Sequence, residues 1–506
     1  MERIIIVGAG IGGLTTGAAL ARAGYEVIVL EAHIYPGGCA GTFFHQGYQF
    51  DAGATLVAGF YPGGPMDRVA EAAGVAQWTV HPLRNVMTVH LPGSRAINRR
   101  GDKTRWEIRE QAFGRDALKF WQWQEAAADA VWDLGLRLPP WPPANLANLR
   151  DLSIVGWRWL GRRKPRLLAQ LALDFFRPVS ARLSQTSDRL KRFIDSQLLI
   201  SAQTTSEHAN SLYAAAALDM PRRGAVQVEG GVGGIAKALA SAIKAHGGQV
   251  LYRQRVQRVE KVPQGYRVHT RNQQFNAEQV VFNMTPPDLL SILDQGISTA
   301  RRLKPTPPSD AWGAFMLYLG IDQTAWGEKS SHHHQIIGTG ELSETGSAFL
   351  SVSPAWDSSR APSGRRAVTI STHTRLEPWW ELHRTDPDGF QARKASYQFK
   401  IRRLIENQFP GLFDSADLVL PATPLSFARF TGRSTGWVGG IPQTHLLRAN
   451  SPRIGDGLWL VGDTIFPGQS VAAAALGGLR VANDVMGRTL RRQACNDDLK
   501  SIEAAI

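Results

Sequence analysis

The chain opens on Ile4, Ile5, Ile6 and Val7, an unbroken apolar run that leads directly into Gly8, Gly10 and Gly13. A strand covered on both faces requires such a run. The glycines have the G-x-G-x-x-G spacing, and the sequence after them predicts a helix over Leu14 to Ala23. In a strand–turn–helix unit of this kind the glycines permit a tight turn, close approach to a pyrophosphate, and close packing of helix on strand. The pyrophosphate then rests on free amides at the positive end of the helix. A second strand, Glu26 to Leu30, ends in Glu31, where a carboxylate can accept from ribose hydroxyls and would repel a 2′-phosphate. The order of strand, glycines, helix, strand and acid points to a dinucleotide.

A second unit near the other end narrows the choice. Leu458 to Val461 reads as a strand ending in Gly462 and Asp463, followed by a Pro467–Gly468 turn and a small-residue helix, Val471 to Val485. This is another set of inward-facing amides, with a carboxylate suited to polyol hydroxyls. NAD has no such polyol, whereas the ribityl chain of FAD does, so FAD is the expected cofactor.

The β–α pattern returns over Val226 to Val262, with an expected helix Ile235 to His246 and strand Val250 to Val256. Residues 90 to 225 are rich in Trp and Arg and read as helices; residues 300 to 440 read as strands and loops. The expected architecture is α/β: a Rossmann-type FAD-binding domain from residues 1–85, 225–298 and 445–490, and an inserted α+β substrate domain over 299–444. A helical, membrane-associating region occupies 86–224, and 491–506 form a tail.

With 506 residues, 43% hydrophobic and 20% charged, the composition is that of a globular protein. Two cysteines, Cys39 and Cys495, provide no disulfide framework, which favours a reducing cytoplasm. The expected strand at residue 3 leaves no room for a secretory leader, and no apolar run approaches a membrane span. The net charge of +14 calls for an anionic partner to be considered.

That charge has a focus. Between Trp157 and Arg192 lie Arg158, Arg162, Arg163, Lys164, Arg166, Arg177, Arg182, Arg189, Lys191 and Arg192, against Asp174 and Asp188. Trp157, Trp159, Leu160, Leu167, Leu168, Leu171, Phe175 and Phe176 interleave with them. A cationic segment bearing Trp and Leu suits an anionic membrane surface; a solvated face over a core helix is the plainer alternative. No nucleic-acid module is recognisable.

Together, Glu31, Gly37–Gly38 with Thr42, Phe50–Asp51–Ala52–Gly53, Glu229 to Gly234 and Gly462–Asp463 resemble the landmarks of phytoene-desaturase-type flavoproteins, in order over nearly the whole chain. That group includes phytoene desaturases, carotenoid cis-trans isomerases and retinol saturases. Pro36 to Thr42, Asp51 to Gly59 and Pro62–Gly63–Gly64 are similar to cyanobacterial carotenoid 3′,4′-desaturases, and Phe466 to Ser470 to both those enzymes and the isomerases. Cys39 stands where many relatives have Arg, which argues against the phytoene enzymes proper.

The resemblance implies that Gly8, Ala9, Gly10, Ile11, Gly12 and Gly13 hold the pyrophosphate and that Glu31 and Ala32 meet the adenosine ribose. Gly38 to Thr42 would follow the same phosphates, and Val256, closing its strand, would meet the adenine edge. Gly462, Asp463, Gln469, Ser470 and Val471 would hold ribityl and isoalloxazine. The implied activity is FAD-dependent desaturation of a carotenoid at a 3′,4′ bond. Isomerisation, or saturation of a polyene, is the alternative, and oxygen or a quinone the implied electron acceptor. A flavin-free carrier is disfavoured, because it has no need of Glu31 and Asp463.

No catalytic constellation declares itself. Hydride loss from an allylic carbon leaves a delocalised cation whose neighbouring proton is acidic, so a weak base or water suffices. An apolar tunnel is therefore expected. Glu207 and His208 are candidate acceptors that read more naturally as surface groups. His332 and His334 would share a strand face, yet no nearby ligands complete a metal site. Trp379 and Trp380 suit core packing or a lipophilic wall. The glycines 230–234 lack the acid that a second nucleotide site needs.

Overall fold

A computed structural model describes residues 2–143, 146–161, 163–297, 303–327 and 331–487. Arg162, Cys495 and the expected tail 491–506 lie outside these residues.

Strand Arg3–Val7 sits inside a six-stranded sheet, parallel to Glu26–Leu30 on one side and to Gln279–Phe282 on the other. Strands Gln249–Leu251 and Leu458–Leu460 extend the parallel array, and Arg453–Gly455 adds an antiparallel edge. Ile4, Ile5 and Ile6 are fully buried, as an apolar run between two covering layers must be. Helix Ile11–Arg22 starts earlier than expected, at the residue after Gly10, because Gly12 and Gly13 themselves take helical conformation. It packs against helix Gly233–Ala245 and helix Val471–Val485. A Cβ on Gly478 would stand 2.5 Å from the Gly12 carbonyl, so the first and last helices cross at backbone contact. A three-stranded antiparallel sheet, Val256–Val262, Gly265–Thr270 and Gln274–Ala277, adds Val256, Val259, Tyr266 and Val268 to the same core.

Val256 opens a strand rather than closing one. The preceding strand stops at Leu251, and the chain turns through Arg253, whose φ of 59° breaks the extended run.

The second sheet has seven strands in the order Ala416–Ala422, Gly313–Asp322, Arg365–Thr374, Ser347–Val352, His333–Ile337, Asn85–His90, Ile97–Arg100. The expected division at residue 86 therefore cuts through a strand that pairs with His333–Ile337, and two strands of the supposedly helical segment belong to this sheet. Strand alternation sends Phe315, Leu317, Leu319, Val368 and Ile370 to one face, against helices Glu377–Thr385 and Pro387–Glu406. Trp379 is fully buried there, its Nε1 donating to Thr374 Oγ1, and Trp380 Nε1 donates to the Thr435 carbonyl. Both serve packing.

Helices Ala117–Leu136, Leu146–Leu160, Pro165–Asp174, Asp188–Ala202 and Ser211–Leu218 form a third cluster. The basic stretch 157–192 spans the end of one helix, a second, a short 3₁₀ turn and the start of a third. Leu171 is buried and Leu167 and Phe175 half-buried, whereas Trp157 and Phe176 stand 79% and 78% exposed. No helix among the described residues is long and apolar enough to cross a membrane.

Candidate cofactor and substrate cavity

One cavity of about 1000 Å³ runs between the two sheets. Of the expected contacts, Gly8, Gly10, Ile11, Glu31, Ala32, Gly38, Val256, Gly462, Asp463, Gln469, Ser470 and Val471 line it. Residues from both ends of the chain thus share one wall.

The fingerprint turn is shaped by Asn283, which follows strand Gln279–Phe282 and also lines the cavity. Its Oδ1 accepts from the Gly13 amide at 3.1 Å, and a Cβ on Gly10 would stand 2.2 Å from its Nδ2. Ala9, Gly12 and Gly13 back the turn rather than face the cavity: a Cβ on Gly12 would meet Val461, Gly462 and Ala474 at 3.0–3.2 Å. The starts of helices Ile11–Arg22 and Val471–Val485 are thereby pressed together, so two positive helix ends converge on the same space. Glu31 accepts from the Ala9 and His33 amides, both at 2.7 Å, which ties the acid to the glycine turn. Gly37 donates to the Ala9 carbonyl at 2.8 Å and brings Gly38 alongside.

At the other end Ser470 caps helix Val471–Val485, its hydroxyl accepting from the Ala473 amide at 3.1 Å, with a φ of 90° that points the preceding turn at the cavity. Asp463 accepts from Arg433 Nη2 at 2.6 Å. Cys39 lines the wall close by, and burial pushes its thiol up from its ordinary pKa. These side chains fit FAD. A tight glycine cradle against Asn283 leaves room for phosphates, an acid waits at each end, and two helix starts face the middle.

Thr42 departs from expectation. It is buried away from the cavity, donating to Asp51 Oδ1 at 2.7 Å and accepting from the Gly233 amide at 2.9 Å. The Val232 amide donates to Asp51 at 2.8 Å, and the Gly230 amide to Asp357 at 2.7 Å. The second glycine run therefore spends its amides on side chains of other segments, which clamp helix Gly233–Ala245 onto the hairpin Thr42–His45/Tyr48–Asp51. Arg360, 3.0 Å from Asp51, completes the clamp.

Glu207 is paired with Lys191 at 3.0 Å on the surface, and neither it nor His208 lines the cavity. The histidine run is structural: His333 bonds Ser351 at 2.8 Å, and His334 bonds His90 at 3.0 Å. Among the described residues no group of His, Cys, Asp or Glu is arranged to hold a metal ion.

Sequence reasoning missed Asn283 and Arg433. The first was legible in principle, since it ends an apolar strand at the sheet edge where ligands bind in doubly wound folds. Arg433 lies in a loop with no pattern of its own.

The fold and the cavity define a dinucleotide-dependent flavoprotein. Residues 11–486 match the family model described as flavin containing amine oxidoreductase, and the chain belongs to that family. It is an FAD-dependent oxidoreductase. It is 29% identical over 510 residues to prolycopene isomerase 2, chloroplastic, of an Oncidium hybrid cultivar, covering 95% of this chain and 83% of that one. It is 25% identical over 519 residues to phytoene dehydrogenase of Streptomyces griseus, covering 97% and 96%. Among solved structures, an oxidoreductase from Methanosarcina mazei has a TM-score of 0.61 at 18% identity, covering 95% of this chain and 99% of that one. Cyclohexylamine oxidase from Brevibacterium oxydans has a TM-score of 0.59 at 16% identity, covering 97% and 99%. These likenesses establish the fold.

Proposed function

We propose that the protein is an FAD-dependent desaturase that introduces a carbon–carbon double bond into a carotenoid, at the 3′,4′ position. One observation carries the reading: the cavity is a long groove floored by a single sheet face. Leu420 and Ala422, Ala314 and Met316, Ser371 and His373, Phe349, and Met87 all line it, from the first four strands and the sixth of the seven-stranded order. Five inter-strand steps of about 4.8 Å make roughly 24 Å. A rod-shaped, apolar substrate fits such a floor; a small polar amine would leave most of it empty. The similarity to a prolycopene isomerase and a phytoene dehydrogenase supports a polyene.

When bound, FAD supplies the hydride acceptor. The protein's part is to bind, align and keep dry. Glu31, Asp463 and the two helix starts hold the cofactor at fixed points. The turn from Ala52 to Gly59, held to the sheet by Tyr318 at Ala52 and by Ser351 at Thr55, and the residues Phe466, Pro467 and Gln469 also line the cavity. The floor keeps the polyene extended and water out, so positioning supplies much of the catalysis.

A lipid-borne substrate calls for a membrane-facing entrance. Leu146, Trp157 and Phe176 are 84%, 79% and 78% exposed, with Arg158, Arg163, Lys164, Arg166 and Arg177 among them. Trp159 Nε1 donates to the Ala130 carbonyl and Arg163 pairs with Asp133 at 2.8 Å. Both partners lie on helix Ala117–Leu136, whose Val131, Trp132 and Gly135 line the cavity. The surface therefore sits behind one wall of the groove, which supports peripheral attachment to an anionic bilayer.

The greater identity to prolycopene isomerases favours cis-trans isomerisation as a second reading. Expression in a carotenoid-producing host separates the two. Loss of two hydrogens with a red-shifted spectrum supports desaturation, and unchanged mass with altered retention supports isomerisation.

A further inference from the structure

We propose that His373 accepts the proton released in desaturation, and that the Gln203 amide, linked to it through Trp312, stabilises the positive charge from which that proton is lost. The inference rests on the desaturase reading. His373 ends the cavity-facing row of strand Arg365–Thr374, opposite Ala314, and its ring nitrogens make no hydrogen bond with the described residues. Trp312 lies edge-on to it, with ring centroids 6.0 Å apart, and donates through Nε1 to the Gln203 carbonyl at 2.9 Å. Gln203 caps helix Asp188–Ala202 in the left-handed region, φ 59°, a conformation costly for a residue with a side chain. It is 5% exposed, lines the cavity, and its Oε1 has no donor.

The pair is also linked to Asp463, a residue expected to hold the cofactor. The Gln203 amide packs on Gly439, where a Cβ would come within 2.3 Å of its Cδ. The next residue, Gly440, packs on the Asp463 backbone, again at 2.3 Å from a Cβ position. His373, Trp312, Gln203, Gly439, Gly440 and Asp463 thus form one continuous chain of contacts. An unpaired carbonyl oxygen in an apolar wall is costly to bury unless something positive forms beside it. Burial also keeps His373 neutral, its pKa lowered to about 4, so that a nitrogen lone pair is available.

The chemistry balances. With FAD bound as two-electron acceptor, an allylic C–H bond would break with both electrons leaving as hydride, and the polyene would carry the positive charge. The neighbouring C–H bond then breaks; its electron pair becomes the new double bond and its proton goes to the His373 imidazole. The imidazolium passes that proton to water once the product has left and solvent re-enters the groove. Isomerisation has no proton to dispose of.

The test uses the full-length holoenzyme in liposomes with a carotenoid substrate, in single turnover without oxygen. Gln203→Leu is expected to slow flavin bleaching. His373→Gln is expected to leave bleaching intact and to lower desaturated product on the order of 100-fold, the range for positioned proton transfer. Flavin absorbance of both variants stays at the wild-type level. Product formation by His373→Gln at the wild-type rate overturns the inference while leaving the desaturase reading in place. A wild type that only isomerises overturns both. If His373→Gln loses its flavin, His373→Ala decides: rescue by added imidazole supports the role, and its absence overturns it.

Discussion

Arg433 Nη2 donates to one oxygen of Asp463 at 2.6 Å, and the same guanidinium donates through Nη1 to the Trp437 carbonyl at 3.0 Å. Burial alone would discharge Arg433, but the nearby Asp463, Cys39 and Asp288 more than offset that and hold it charged. One carboxylate oxygen is thereby fixed and the other left for a polyol hydroxyl. Asp463→Ala is expected to purify without flavin, read as the ratio of absorbance at about 450 nm to protein absorbance. Arg433→Met leaves the half-buried carboxylate unpaired and costs about 3–5 kcal/mol, measured by thermal unfolding with FAD added. Wild-type flavin content in Asp463→Ala would remove Asp463 from the site.

Asp51 and Arg360 are both about 4% exposed and 3.0 Å apart, and Asp51 also accepts from Thr42 and from the Val232 amide. Removing one partner strands the other's charge. Asp51→Ala is expected to destabilise the apoprotein by about 3–5 kcal/mol, where an ordinary surface Asp→Ala costs less than about 0.5. Denaturant unfolding of the two variants checks the contrast.

Acid should loosen the fold before it neutralises the surface carboxylates. Burial lowers His333 to about 3 and His90 to about 4. The unfolded chain takes protons at these histidines below about 6.5, whereas the native state refuses them until near 4. Stability is therefore complete above neutrality and falls as pH drops from about 6.5 towards 4, by up to about 1.4 kcal/mol per histidine per pH unit. Thermal midpoints at pH 7.5 and 5.0 test this, and His333→Gln should show a shallower decline than wild type.

Trp157→Ser with Phe176→Ser is expected to reduce sedimentation with anionic liposomes and to leave flavin content unchanged. Neutralising the exposed Lys164 and Arg166 should weaken binding by about 1 kcal/mol per charge, and added salt should do the same to wild type. Equal sedimentation of wild type and variants would end the anchor proposal.

What could be read from the sequence was whatever local geometry enforces. The strand Glu26–Leu30 and the helix Val471–Val485 lie within their expected bounds, because period and capping chemistry set them locally. Thr42 was misplaced because its neighbour Gly38 lines the cavity while the chain turns into a hairpin between them, and only tertiary contact decides which way a hydroxyl faces. The division at residue 86 failed for a similar reason. Asn85–His90 pairs in parallel with His333–Ile337, some 240 residues away, and no local signal records a partner at that distance. Arg433 and His373 lacked a motif altogether; one is meaningful only beside Asp463, the other only beside Trp312.

The backbone contact between Gly12 and Gly478 has a consequence for how the protein is made. A ribosome delivers the glycine fingerprint first and the helix that braces it last, so the nascent chain carries a half-built nucleotide cradle through almost all of its synthesis. Cofactor loading must wait for that final helix to dock. A truncation ahead of residue 471 should therefore yield colourless, chaperone-bound protein rather than a weaker enzyme.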